Sequence, residues 1–345
     1  MKAIAKTLTK LVAIGTISCS VQAGYPMQAT PDDQKWLLPD APPYPEENKP
    51  NPERIALGKA LYFDPRVSAD GVTSCATCHN PGLGWADGRP KALGFRGKEL
   101  GRASPTIINA GYNSIQMWDG RNKNLEDQAT GPMDSPDEMH TDMAVLEKWL
   151  NTNAEYNALF AKAYPNETIN RATLSKAIAS FERTIISNNS AFDRWLKGDV
   201  KAMTVQQIKG FRLFEDQRKG NCAICHSAPN FTDNGFHNLG LASYEKIDAD
   251  LGRFAIRPIP SLRGAFKTPT LRDVAMTAPY FHDGSVKTLA DVMAHYKRGG
   301  DTKKDLSPNI KPLPLSNPEV EAIVAFMEAL TSPQLQVTLP ILPRN

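Results

Sequence analysis

Cys75-Ala76-Thr77-Cys78-His79 and Cys222-Ala223-Ile224-Cys225-His226 are two copies of one motif, Cys-x-x-Cys-His, and the rest of the chain is read outward from them. The spacing suits covalent attachment of haem. Two thiols form thioethers to the vinyl groups, and the histidine that follows reaches the iron. The chain has five cysteines, and the two motifs use all but Cys19. Four cysteines in an exported protein can also mean two disulfides or a zinc site. Two copies that consume every remaining cysteine favour two covalently bound haems c over either.

The N-terminus supports export. Lys2, Lys6 and Lys10 make a basic start, Leu11 to Ser20 is a short apolar stretch, and Val21-Gln22-Ala23 has small residues where a signal peptidase cuts. Residues 1–23 therefore read as a secretory signal, and the periplasm as the destination. The apolar run is too short to span a bilayer as an anchor. Thr16-Ile17-Ser18 is a poor lipoprotein signal for Cys19. The chain has 345 residues, 41% hydrophobic and 22% charged, enough for one large domain or two with their own cores. Without the three leading lysines, 37 basic residues face 37 acidic ones, a balance that gives no reason to expect nucleic acid as a partner.

Each motif follows a helical stretch. Gly58-Lys59-Ala60-Leu61-Tyr62-Phe63 precedes the first and Gly210-Phe211-Arg212-Leu213-Phe214 the second. Thr204 and Gln207 form a capping box that opens the latter. Leu174, Ile178, Phe181 and Ile185 recur at helical spacing, and Ser187-Asn188-Asn189 ends that helix. Pro318 begins a last helix lined by Val320, Ile323, Val324 and Met327. Strand-like alternation is scarce. The expected fold is mainly α, with two tandem cytochrome c-like domains at 24–195 and 196–330 and a tail at 331–345 folding back on the first.

Beyond the motifs, the chain resembles the bacterial di-haem cytochrome c peroxidases and their MauG-type relatives over about residues 50–340. The resemblance rests on Leu57-Gly58-Lys59-Ala60-Leu61-Tyr62-Phe63-Asp64-Pro65-Arg66, Trp118-Asp119-Gly120-Arg121, Phe181-Glu182-Arg183-Thr184, Phe192-Asp193-Arg194 and the run from Leu271 to Gly284. It implies that the His79 haem is peroxidatic and the His226 haem transfers electrons. It also implies that Trp118 relays charge between them, and that Gln128, Pro132 and Glu138 line the distal side of the first. A carboxylate there suits the chemistry, because breaking the peroxide bond needs a base that takes a proton from one oxygen and returns it to the other. His140 is a neighbouring alternative base.

The sixth position of each iron then separates a carrier from an enzyme. In peroxide-scavenging members a loop histidine closes the peroxidatic iron at rest. Here Phe95 stands at that place in Leu93-Gly94-Phe95-Arg96-Gly97, and no histidine lies between His79 and His140. The first iron is expected to be open. At the second, the resemblance puts Tyr296 where those members have Met. Leu289, Val292, Met293 and Tyr296 share one helix face, with His295 turned about 100° away. Met293 is the competing donor. A His/Tyr pair marks the MauG type, whose phenolate lowers the potential and supports high oxidation states. The family also implies a calcium ion between the haems, held by an Asn side chain and the carbonyls of Thr277 and Pro279. The Asn position reads as Ala103, with Ser104 or water as substitutes.

The expected function is a peroxidase of MauG type. Hydrogen peroxide is cleaved at the first haem, both irons reach the Fe(IV) level, and a tryptophan side chain of a periplasmic protein is oxidised. Two alternatives remain: a peroxide-scavenging peroxidase fed by a small cytochrome or cupredoxin, and a non-catalytic electron carrier.

Overall fold

The computed structural model describes residues 25–333 and 337–344, so the secretory-signal reading of 1–23, with Cys19, lies outside the described residues. The chain is mainly helical. In order come α1 (Pro52–Phe63), α2 (Cys75–Cys78), α3 (Leu125–Ala129), α4 (Gly131–Asp134), α5 (Met143–Thr152), α6 (Ala154–Ala163), α7 (Arg171–Glu182), α8 (Ala191–Leu196), α9 (Val205–Glu215), α10 (Arg253–Ile256), α11 (Leu289–Arg298) and α12 (Asn317–Ala329). Two short strands, β1 (Phe236–His237) and β2 (Phe266–Lys267), pair antiparallel.

Local signals explain where the helices begin. The Asn51 side chain accepts from the Glu53 and Arg54 amides, and Pro52 opens α1. Thr204 and Gln207 form the capping box of α9. At the other end of α11, Gly299 takes the left-handed conformation that a helix stop favours.

The buried apolar residues form two clusters. One runs from Leu57 to Ile185 and packs α1 against α7. The other gathers Phe192, Phe211, Phe214, Phe231 and Phe326, and packs α9 against α12. Both crossings depend on a glycine. A Cβ on Gly58 would lie 1.8 Å from the Ala177 carbonyl oxygen, and one on Gly210 would lie 1.9 Å from that of Ala322. Only glycine lets the backbones meet so closely.

The two ends of the described residues cross over. Trp36 sits in the second cluster and stacks on Phe231 at 4.5 Å, although its sequence position is in the first half. Arg272 fixes it there by donating to the Trp36 carbonyl at 3.0 Å and pairing with Asp193 at 2.8 Å. α8 also belongs to the second cluster. At the other end, Val337 packs on the first cluster, and the Pro343 and Arg344 carbonyls accept from Arg66 and Asn153.

The internal repeat extends well past the motifs. Residues 103–132 recur as 267–296, turn for turn. Thr106 Oγ1 donates to the Gly84 carbonyl at 2.7 Å, and Thr270 Oγ1 donates to that of Asn230 at the same distance. Asn109 and Asp273 both have φ of 57°. Gln116 bridges Asn122 as Tyr280 bridges Val286. Asn124 caps α3 as Thr288 caps α11. The halves join about a pseudo-twofold axis: the Ala103 amide donates to the His282 carbonyl, and the equivalent Lys267 amide donates to the Trp118 carbonyl, both at 2.8 Å.

Candidate haem sites

None of the four motif cysteines is paired in a disulfide. α2 carries Cys75 and Cys78 on one turn, capped by Ser74, and leaves His79 at its end. His226 is placed in the same way after a short 3-10 turn, Cys222–Ile224. Both histidines lie deep in the protein yet keep accessible area. That combination means they face internal space. Burial pushes both imidazoles toward the neutral form that can ligate iron.

Around His226 the space is a cavity of about 690 Å³ lined by Cys222, Cys225, His226, Met293, Tyr296 and Met327, among others. It has the size and the apolar lining of a cofactor site. His226 Nδ1 lies 3.0 Å from the Phe231 carbonyl, the bond that fixes the tautomer and leaves the other nitrogen for a metal. In the first half the carbonyls of Trp85 and Pro105 lie beside the His79 ring, while Nδ1 is buried without a hydrogen bond of good geometry. The residues fit two haems, one per motif.

Tyr296 shares the second cavity with Cys222 and Cys225. Burial raises the free phenol. A bound metal ion reverses that tendency and favours the anion. His295 points elsewhere. It is fully buried, Nε2 lies 2.9 Å from the Leu239 carbonyl, and Nδ1 faces Asp301. Met293 lines the cavity one turn before Tyr296.

In the first half, the position equivalent to Tyr296 is Pro132, in the first turn of α4. Proline has no side-chain donor atom. Its neighbours Gln128 and Ala129 occupy the places of Val292 and Met293. Glu138 lies close to Cys78. Burial raises the Glu138 carboxyl, opposed by Arg121 and by a hydrogen bond from Ser135. A carboxyl shifted toward neutrality is a better proton acceptor than an ordinary one.

The Phe95 loop is latched to the Glu138 segment. The Phe95 amide donates to the Asp137 carbonyl at 3.0 Å, and a Cβ on Gly94 would lie 2.0 Å from that oxygen. The Phe95 ring stacks on His140 at 4.8 Å. His140 is exposed and faces this ring and the Pro136 carbonyl.

Trp118 lies between the halves. Its Nε1 donates to the Ala103 carbonyl at 2.9 Å, and its ring meets His282 edge-on at 6.5 Å. It also lines the second cavity. Sequence reading missed two features. His282 is the equivalent of Trp118, a link visible in the shared Asp-Gly that follows each. Glu182 is a fully buried carboxyl beside Cys75, with Oε2 unpaired. It takes the place that Met327 has at the second cavity.

The fold, the two motifs and the cavity at His226 together define a di-haem c-type cytochrome. A family model described as di-haem cytochrome c peroxidase matches residues 52–201. The methylamine utilization protein MauG of Methylorubrum extorquens is 41% identical over 339 residues, covering 96% of this chain and 94% of that protein. The cytochrome c551 peroxidase of Pseudomonas aeruginosa is 39% identical over 297 residues, covering 84% and 82%. A crystal structure of a MauG-like protein associated with microbial copper homeostasis superposes with a TM-score of 0.80 at 30% identity, over 86% of this chain and 95% of that one. The chain belongs to the di-haem cytochrome c peroxidase family. It is therefore an oxidoreductase that acts on hydrogen peroxide and carries two covalently bound haems c. Among the described residues, no helix is long and apolar enough to cross a membrane.

Proposed function

We propose that this peroxidase is of MauG type: a periplasmic enzyme that stores oxidising equivalents from hydrogen peroxide on both haems and uses them to oxidise a tryptophan side chain of a partner protein. The observation that carries the reading is Tyr296 in one cavity against Pro132 at the equivalent place in the other half. Cys75, Cys78 and His79 hold one haem, and Cys222, Cys225 and His226 hold the other. When bound, the haems supply peroxide reduction at one iron and redox storage at both. Pro132 leaves the first site without a protein donor. Glu138 takes a proton from hydrogen peroxide and returns it to the departing oxygen, assisted by the Gln128 amide. Trp118, bonded to both halves, carries charge between the cavities. Tyr296 as a phenolate favours high oxidation states at the second haem.

The likeness to the cytochrome c551 peroxidase supports the second reading, peroxide removal with a small cytochrome or cupredoxin as electron donor. Adding one equivalent of hydrogen peroxide to the haem-loaded protein, with no donor present, separates the two. The MauG-type reading expects a near-infrared band from charge shared between the haems, which decays faster when a protein with an accessible tryptophan is added. Absence of the band, with rapid turnover once a small cytochrome is supplied, would favour peroxide removal.

A further inference from the structure

The junction between the halves is where the family places its calcium ion, and this chain's residues do not fit one. Ala103, at the position of the Asn ligand, has no side-chain oxygen. Both its backbone groups are engaged, the amide by the His282 carbonyl and the carbonyl by Trp118 Nε1. The Ser104 hydroxyl faces the Cys78 sulfur. What remains is the pair of Thr277 and Pro279 carbonyls. Calcium takes six to eight oxygens, and its affinity follows the number of charged ligands. Among the described residues, the one His/Cys/Asp/Glu group with metal-binding spacing is Cys225, Asp233 and His237, and Cys225 belongs to a haem motif.

A different cation occupies the junction. Arg102 donates from Nη1 to Asp119 Oδ2 at 2.7 Å, from Nε to Asp250 Oδ2 at 2.6 Å and from Nη2 to Asp250 Oδ1 at 2.9 Å. Its side chain is 21% exposed and that of Asp119 is 6% exposed. The guanidinium also lies 5.4 Å from the centre of the Phe266 ring, which stacks on His282 at 3.5 Å. Phe266 is the repeat equivalent of Arg102, so the cation sits on the pseudo-twofold axis beside Trp118 and His282. Arg121 pairs with Asp119 as well, at 2.9 Å. Two guanidinium groups thus face two carboxylates, so neither Asp119 nor Asp250 is free to hold a divalent ion. Charge-assisted, partly buried bonds of this kind are the strong ones.

We propose that the junction in this protein is held by the Arg102 guanidinium, bridging Asp119 of the first half and Asp250 of the second, and that it carries no calcium. Arg102 is a positioning residue: it fixes the loop that holds Trp118.

The test uses the haem-loaded full chain. After gel filtration in calcium-free buffer, elemental analysis should find far less than one calcium per chain. The melting temperature and resting-state spectrum should not change with EGTA or with millimolar calcium. Arg102→Gln should lower the melting temperature, and calcium should not restore it. Arg102→Lys, which keeps the charge but loses the fork, should fall between. A stoichiometric calcium whose removal by EGTA lowers the melting temperature or alters the haem spectrum would overturn the proposal. So would an Arg102→Gln protein as stable as its parent.

Discussion

Pro132 and Tyr296 occupy one helix position in the two halves, and of the two only the phenol offers an atom that can reach an iron. Replacing Tyr296 by Met keeps a donor but exchanges an anion for a neutral thioether. Redox titration of Tyr296→Met should show one haem potential raised by on the order of a few hundred millivolts, because axial ligand identity is a main lever on haem potential. The other potential should stay in place. Two unchanged potentials would mean that Tyr296 does not ligate. Glu182 makes a second prediction at this scale. Burial lifts its carboxyl to about 8, above the 4.5 of an ordinary glutamate, with Arg183 opposing and Glu126 assisting. The folded protein therefore holds a proton that the unfolded chain has lost above pH 4.5. Stability is full below that pH and falls as pH rises toward 8. In Glu182→Gln the slope over this window should flatten, so thermal unfolding should favour the variant more at pH 8 than at pH 5. Equal slopes would mean that the carboxyl is ionised in the fold.

Among the elements, α1, α7, α9, α11 and α12 were legible because each obeys a local rule. The apolar face of α7, the capping box of α9 and the Gly299 stop of α11 are all readable from a few adjacent residues. The repeat of 103–132 in 267–296 was not. Its seven identities, such as Pro105 with Pro269 and Asp119-Gly120 with Asp283-Gly284, fall mostly in turns and caps and produce no periodicity. The tight contact of α1 with α7 was also hidden, since a glycine alone does not name the backbone it meets. It yields a direct prediction. Gly58→Ala forces a methyl group onto the Ala177 carbonyl and should cost more than the ~1–3 kcal/mol of ordinary core overpacking. A drop in melting temperature checks it, and an unchanged value would contradict the crossing.

At the scale of the whole molecule, the haem motifs disclosed two halves and the tail at 331–345 was expected on the first, but the packing of Trp36 on the second was not foreseen. Trp36 belongs to the second core and Val337 to the first, so each end of the described residues packs on the half remote from it in sequence. Such contacts depend on long-range packing and leave no local pattern. The buried Arg272–Asp193 pair, which secures Trp36, was likewise readable only as two charged residues within the Leu271–Gly284 and Phe192–Arg194 segments. What the assembly yields is one scaffold used twice with unlike contents: a latched glutamate beside one motif and a tyrosine beside the other, with Pro132 at the place that Tyr296 takes. Electron paramagnetic resonance of the resting, fully oxidised, haem-loaded protein tests this asymmetry most directly. One high-spin and one low-spin ferric haem in equal amounts is the predicted result, and two low-spin haems would contradict it.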